Sequence, residues 1–334
     1  MSSTFIRMLS NTSAKPIRHL VSISELSHTE LHSLVNRAAH YKSLVKSNTL
    51  PPDNLADALK TQTVGLLFSK RSTRTRISSE AAVNYFGGHP LFLGSQDIQL
   101  GVNESFYDSI KVISSMTGAI FARVNSHDEI QQLVKHSSVP VINSLCDTYH
   151  PLQAICDMLT IKEQFNGDVK GKKLTWVGDA NNVINDLAVA AAQFGMNVSV
   201  AIPQGYKFDE QVAAVATKVA SEQGCKFEVV HDPLVAVKDA NIVVTDTFVS
   251  MGEESQTKQK LETFKGFQVS KELIEQGQVA KDWRFMHCLP RHEYEVSDEI
   301  FYGENSVVFE EAENRLYAAI AVLEALVVNK GKFL

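Results

Sequence analysis

Apolar residues along this chain keep two alternating rhythms. Short solid runs have the length and β-branched content of buried strands: TVGLLF (63–68), AIFARV (119–124), VPVIN (139–143), LTWVG (174–178), VSVAI (198–202), FEVV (227–230) and NIVVT (241–245). Most are separated by stretches at helical spacing, among them 104–117, 151–165, 182–194 and 209–223. The first helix is predicted at SHTELHSLVNRAAHYKSLV. There Ser27 and Glu30 have the spacing of a capping box, and Leu31, Leu34, Val35 and Ala38 form one apolar stripe. Strand–helix alternation requires right-handed crossovers and sheets covered on both faces. The expected fold class is α/β: two domains, each a parallel sheet covered by helices, with connecting interdomain helices.

The seam is expected within 143–172, where HPLQAICDMLTIKEQF reads as a connecting helix and the turn-rich NGDVKGKK follows it. A last apolar helix over 312–329 is placed to return across the seam onto the first domain. The resulting division is a tail at 1–17, a first domain at 18–149 completed by the C-terminal helix 318–334, and a second domain at 150–317. A length of 334 residues accommodates two domains of ordinary size. No internal repeat, low-complexity tract or apolar run of membrane-spanning length interrupts the pattern.

Charge narrows the function classes. The net charge of −6 argues against broad nucleic-acid binding, which needs an electropositive face. Cys146, Cys156, Cys225 and Cys288 are widely spaced, which fits a reducing compartment better than a disulfide scaffold and offers no CxxC metal pair. The first residues, MSSTFIRMLSNTSAKPIRHL, carry Arg7, Lys15 and Arg18 with no acid before Glu25. That bias favours mitochondrial import, with a plain cytoplasmic tail as the alternative.

Against this mild acidity, SKRSTRTR (69–76) concentrates four cations at a strand-to-helix turn. Cations suit the C-terminal end of a helix, so four at its start are unfavourable unless an anion is bound there. Ser72, Thr73 and Thr75 add hydroxyls, and Arg74 and Arg76 add guanidinium forks suited to phosphate oxygens, without the glycines of a P-loop. Arg123 ends a predicted strand, where open α/β sheets bind ligands. His150 and Gln153 lie three apart at a helix start, on one face.

The stretch LTWVGDANN lacks the G-x-G-x-x-G fingerprint of dinucleotide binding, and no acid ends the next strand. Its Asn181 and Asn182 suit a small zwitterion instead. In DTFVSMGEE, Asp246 can pair with an ammonium and Ser250 can hold a carboxylate. Cys288 in MHCLPRH is either a buried inert thiol or, in an electropositive setting, a proton acceptor.

Taken in order, SxRTR, HPxQ, DxxxSMG and HCLP resemble the carbamoyltransferase family, on its ornithine rather than its aspartate branch, from about Arg18 to the C-terminal helix. FLGSQDIQLGVNES and VFEEAENRLYAA look like the fungal members. The resemblance implies transfer of the carbamoyl group of carbamoyl phosphate to the δ-amine of L-ornithine, with no metal or organic cofactor. It implies that Ser72, Thr73, Arg74 and Thr75 hold the phosphate and that Arg123, His150 and Gln153 hold the carbamoyl side, with Cys288, Leu289 and Arg315 completing that site. It further implies that Asn182, Asp246, Ser250 and Met251 hold ornithine and that Cys288 acts in catalysis. It also implies a homotrimer in which Gln99 reaches a neighbouring subunit's site, and arginase as a partner of some fungal members. The rival readings are a carbamoyltransferase for another amine such as putrescine, and a catalytically silent ornithine-sensing homologue.

Overall fold

The computed structural model describes residues 16–49, 51–96, 98, 104–249, 255 and 257–334. The first half runs α1 (His28–Lys46), α2 (Asp53–Ala56), β1 (Thr63–Phe68), α3 (Thr73–Tyr85), β2 (His89–Gly94), α4 (Phe106–Met116), β3 (Ala119–Arg123), α5 (His127–His136) and β4 (Val141–Leu145). The second runs α6 (Pro151–Gln164), β5 (Lys173–Val177), α7 (Asn182–Gln193), β6 (Asn197–Ala201), α8 (Glu210–Gln223), β7 (Phe227–Val230), α9 (Pro233–Val237) and β8 (Ile242–Val244). It continues with α10 (Thr257–Thr263), α11 (Lys271–Gly277), β9 (Arg284–Met286), α12 (Asp298–Phe301) and α13 (Val308–Leu323).

The strands form two sheets, one ordered β2-β1-β3-β4 and the other β7-β6-β5-β8-β9, and every pairing is parallel. In the first sheet the chain leaves β1 on one side to make β2, then returns to the other side for β3. In the second it makes the same reversal between β5 and β8. Each reversal opens a crevice at the C-terminal ends of the two central strands.

Most predicted strands lie within a residue or two of their observed bounds, and the exceptions have local causes. Strand β4 starts after Pro140, which has no N–H to donate to a ladder, and runs two residues beyond the apolar run VPVIN, where Leu145 pairs with Arg123 of β3. Strand β2, HPLFLG, was not expected because it contains a proline; it lies at the sheet edge, where proline is tolerated. Strand β9 is only three residues, RFM, and leads into MHCLPRH, before which an apolar strand is expected.

Helix α1 begins with the predicted capping box, in which Ser27 Oγ accepts from Glu30 N and the Glu30 carboxylate accepts from Ser27 N. Helix α6 is buried from Pro151 to Ile161, because α1, α7 and α13 pack around it. Helix α13 starts at Val308, earlier than its apolar run suggests, and packs on α1, α3 and α6 before a π-helical turn at Glu324–Val328. The buried Glu324 accepts from Arg37 of α1 at 2.6 Å, which ties the C-terminal end of the chain to the first helix. One apolar core includes Leu66 and Phe121 of the first sheet, Trp176 and Val198 of the second, and Ile320 of α13. The crevices of the two sheets are thus held by a shared interior.

Candidate active site

A cleft of about 1050 Å³ is lined by the turns after β1, β3, β5 and β8, by the starts of α3, α6 and α7, and by Arg315 of α13. Both topological reversals open into it. A second cavity, of about 840 Å³, lies near Gln62, Gly118 and Pro140, at the opposite ends of the strands. Open α/β sheets bind ligands at the carboxyl ends of their strands, so the chemistry belongs to the first cleft.

One side of that cleft is cationic. Ser72 caps α3, its hydroxyl accepting from Thr75 N at 3.3 Å, and the helix start turns its unpaired N–H groups toward the cleft. Arg74 donates to the carbonyl of Leu289 from the second half of the chain. Arg123, the last residue of β3, has a buried Nε without a protein partner. Burial lowers the Arg123 pKa to about 10, and the charges of Arg315 and Arg74 push the same way. Arg315 is buried and forks three ways: to His150 Nε2 at 3.1 Å, to Gln153 Oε1, and to Thr75 Oγ1 at 3.4 Å. Among the described residues, neither Arg74 nor Arg123 has a carboxylate within ion-pair distance. Mutual repulsion on this scale is tolerated where an anion completes the site.

His150 is held at both ends. Its backbone N–H donates to the buried Asp186 carboxylate at 2.8 Å, and its Nε2 accepts from Arg315. Burial, reinforced by Arg315, Arg123 and Arg74, drives its pKa well below 6.5. A neutral imidazole that accepts at Nε2 carries its proton on Nδ1. That buried Nδ1 has no protein partner, so a neutral N–H donor is in place beside three guanidinium groups.

The other side of the cleft is built from the second sheet. After β5, Gly178 adopts φ 148°, and a Cβ there would meet the Phe248 ring at 3.1 Å. Trp176 Nε1 donates to Asp179 O at 2.9 Å and fixes the turn. Asn181 then caps α7 and donates to Asp246 Oδ2 at 2.7 Å, while Cys288 Sγ donates to Asp246 Oδ1 at 3.4 Å. Burial raises Asp246 above the usual carboxylate range and pushes the Cys288 thiol well above 9, with Asp246 as the next contribution for the thiol. Asn182 donates to Cys146 O at 2.5 Å. Leu289 sits at φ 62°, a conformation disfavoured for a branched residue. It is held there by Arg74 on its carbonyl and by His287 Nδ1, which accepts from its N–H at 2.9 Å.

Of the residues singled out from sequence, Ser72, Thr73, Arg74, Thr75, Arg123, His150, Gln153, Asn182, Asp246, Cys288, Leu289 and Arg315 all line this cleft. Gln99, Ser250 and Met251 lie outside the described residues. Arg76 does not share the role its neighbour suggested. Two positions beyond Arg74 on a helix, it faces away, pairs with Glu80 at 2.8 Å and stacks over Phe92 at 3.9 Å. Among the described residues, no group of three or more His, Cys, Asp or Glu side chains converges as metal ligands. Nor is any helix among them long and apolar enough to cross a membrane.

Sequence comparison matches residues 18–163 to the carbamoyl-phosphate-binding domain, and residues 170–326 to the Asp/Orn-binding domain, of aspartate/ornithine carbamoyltransferases. The chain belongs to the aspartate/ornithine carbamoyltransferase family. It is 58% identical to the mitochondrial ornithine transcarbamylase of Pachysolen tannophilus, covering 97% of this chain and 92% of that one. It is 53% identical to the ornithine carbamoyltransferase of Saccharomyces cerevisiae, covering 97% and 99%. Among solved structures it resembles the mitochondrial ornithine carbamoyltransferase of Coccidioides immitis, with TM-score 0.89, 53% identity and coverage of 95% and 99%. It also resembles the ornithine carbamoyltransferase of Pyrococcus furiosus, with TM-score 0.87, 41% identity and coverage of 93% and 97%.

Some cleft groups of this carbamoyltransferase-family chain carried too little local pattern to be found from sequence. Asp179 and Lys260, 2.7 Å apart and largely buried, form an ion pair across the second half of the cleft. Asp186 reads as an ordinary helical acid, yet it also accepts from Ile23 N at 2.7 Å, so it joins the N-terminal segment to His150. Asn181 was visible as a carboxamide; its grip on Asp246 was not.

Proposed function

We propose that this protein transfers the carbamoyl group of carbamoyl phosphate to the δ-amine of L-ornithine, giving L-citrulline and phosphate. The observation that carries the reading is a single cleft in which guanidinium groups without carboxylate partners face a buried carboxylate and thiol. The first half suits a small phosphorylated dianion, and the second suits a cationic amino acid.

In this reading the α3 N-terminus, with Ser72, Thr73, Arg74 and Thr75, receives the phosphate. Arg123, the Nδ1–H of His150 and the Gln153–Arg315 unit receive the carbamoyl group, where donors preset around the carbonyl stabilise the tetrahedral oxyanion. Their effect depends on excluding water: one charge at 4 Å is worth about 1 kcal/mol in water and about 4 at an effective dielectric near 20.

Asn182, Asp246, Ser250 and Met251 hold the amino-acid end of ornithine. An alkylamine with pKa ~10.4 is neutral in roughly one molecule in a few thousand at pH 7, so the attacking amine needs a proton acceptor. Because the Cys288 thiol stays protonated in the free cleft, it serves as a relay rather than as a preformed thiolate. The ammonium gives one proton to sulfur as the thiol proton moves to Asp246, and the freed lone pair forms the new C–N bond. The C–O bond breaks with its electron pair on the phosphate oxygen, which takes the second proton from nitrogen.

Assembly as a homotrimer, with Gln99 reaching a neighbouring subunit, rests on the family resemblance. Tyr107, Val112 and Met116 on α4, between 47% and 74% exposed, favour it as an apolar contact face. Docking of arginase rests on the resemblance alone. A mitochondrial location is favoured by the basic, acid-free first 24 residues and by the relatives from P. tannophilus and C. immitis, whose names place them there.

The deciding assay is product formation from carbamoyl phosphate with ornithine, run beside aspartate and putrescine. Citrulline is expected, with neither of the other amines carbamoylated at a comparable rate. Product with putrescine instead would replace the ornithine reading by the other-amine one. No product with any of the three would make the chain a silent homologue.

A further inference from the structure

Beneath the cleft floor lie two carboxyl groups that the transfer chemistry above does not use. Asp157 and Glu311 are each about 1% exposed. Asp157 sits one helical turn after Gln153 on α6, and Glu311 one turn before Arg315 on α13, so the two helices bring both acids under one amide. Gln153 Nε2 donates to Asp157 Oδ1 at 2.7 Å and to Glu311 Oε1 at 3.2 Å. The second oxygen of Glu311 accepts from the backbone N–H of His287 at 2.9 Å, immediately before Cys288. Neither acid has a cation within ion-pair distance among the described residues, and Asp157 Oδ2 is buried without a donor from any other group.

Two buried carboxyls in that arrangement cannot both be ionised; a proton between them supplies the missing donor. We propose that Glu311 and Asp157 share one proton and act together as positioning residues, holding Gln153 and the His287–Cys288 backbone in register across the two halves of the cleft. Because Asp157 Oδ2 is the oxygen that lacks a donor, the shared proton is carried by Glu311 and donated to it; burial raises both acids and so favours retaining it.

From there the connections run into the site. Gln153, fixed at its nitrogen, turns its oxygen to Arg315, and the same guanidinium sets the tautomer of His150 and reaches Thr75. One neutral acid thereby couples the residues assigned to the carbamoyl group with the loop that carries the thiol. This inference rests on the carbamoyl-transfer reading and adds residues that touch neither substrate.

The test compares Glu311→Ala and Glu311→Gln with wild type in kcat, in KM for each substrate and in thermal unfolding midpoint. Glutamine approximates a protonated glutamate: its NH₂ donates to Asp157 and its oxygen accepts from His287 N, at the loss of the 3.2 Å bond from Gln153, which keeps its bond to Asp157. Truncation to alanine is expected to lower kcat roughly 10- to 100-fold, with smaller changes in either KM, because it misplaces groups that act in the transition state. Glutamine is expected to restore most of that loss. A glutamine variant as impaired as alanine, at an unchanged unfolding midpoint, would mean that an ionised carboxylate is required and would overturn the shared proton. An alanine variant with wild-type kcat would overturn the positioning role. Should the alanine variant fail to fold, the glutamine variant decides alone, since it keeps activity only if the native acid is neutral. A wild type that makes no citrulline overturns the transfer reading, and this inference with it. An active wild type confines any failure to the acid pair.

Discussion

The two sheets present the same place in the fold with opposite chemistry. At the β1/β3 reversal the strand ends carry Arg123 and lead into Arg74, with no carboxylate among the described residues within ion-pair distance of either. At the β5/β8 reversal they carry the Asn181 amide and the buried carboxyl of Asp246, with a thiol from the turn after β9. Parallel topology decides where a ligand can lie, because it leaves a crevice at the strand ends. The side chains in the first few positions past each strand decide which charge that ligand must have. A reaction between a dianion and an amine is served by two such crevices facing each other, one of each sign.

The largest effect expected from breaking this contrast is at Arg123. Arg123→Ala should lower kcat/KM for carbamoyl phosphate by about 10²- to 10³-fold, the usual cost of one preset donor at a developing oxyanion. Calorimetric titration with a phosphonate analogue should show the same residue to be needed for anion binding. Equal analogue affinity in variant and wild type would place the anion elsewhere.

On the acidic side, Asp246→Asn should lower kcat/KM for ornithine by about 10²-fold while leaving affinity for the phosphonate nearly unchanged, since it removes both an ammonium partner and the acceptor of the Cys288 proton. If both affinities fall together, the halves are not separable in the way their charges suggest.

A smaller effect concerns stability against pH. Burial raises Glu295, which faces His287 at 3.3 Å, to about 7. A carboxyl whose folded pKa exceeds its unfolded one stabilises the fold below the unfolded value and loses that contribution as pH rises through the folded one. The unfolding free energy of wild type relative to Glu295→Gln should therefore decline between pH 4.5 and 7, by at most about 1.4 kcal/mol per pH unit. His287, lowered from 6.5 to about 4, contributes a slope of opposite sign over much of that window in both proteins, so the difference between wild type and Glu295→Gln in denaturant titrations at pH 5, 6 and 7 is what isolates the acid. A flat difference across those points would show that the acid is ionised throughout.

The smallest effect is expected at Arg76, the cation that faces away. Its ion pair and ring contact are half-exposed, so Arg76→Ala should cost less than about 1 kcal/mol of stability. Citrulline turnover should stay within about twofold, because no charge is removed from the cleft. A large loss of turnover would undo the division of this segment into a ligand face and a solvent face.

Much of this molecule was legible in its sequence because the relevant physics is local. Strand–helix alternation, the capping box at Ser27 and Glu30, and cations gathered at a helix start are patterns within a few residues. Strand β2 escaped because it carries a proline, at a sheet edge. The sense of Arg76 follows from helical phase, two positions past Arg74, once the helix start is fixed at Thr73; its ring contact with Phe92 on β2 does not.

What only the tertiary structure decided is which distant groups meet, and in which protonation state. Arg315 reaches Thr75 across 240 positions, and His150 and Gln153 across 165 and 162, distances over which no spacing rule operates. Cys288 is a thiol rather than a thiolate because burial and Asp246 both oppose its ionisation, and His150 is neutral because burial, reinforced by three guanidinium groups, opposes its protonation. The sequence alone determined the kinds of groups and the topology that gathers them. Their charges depended on desolvation and on neighbours through space, which exist only once the chain has folded.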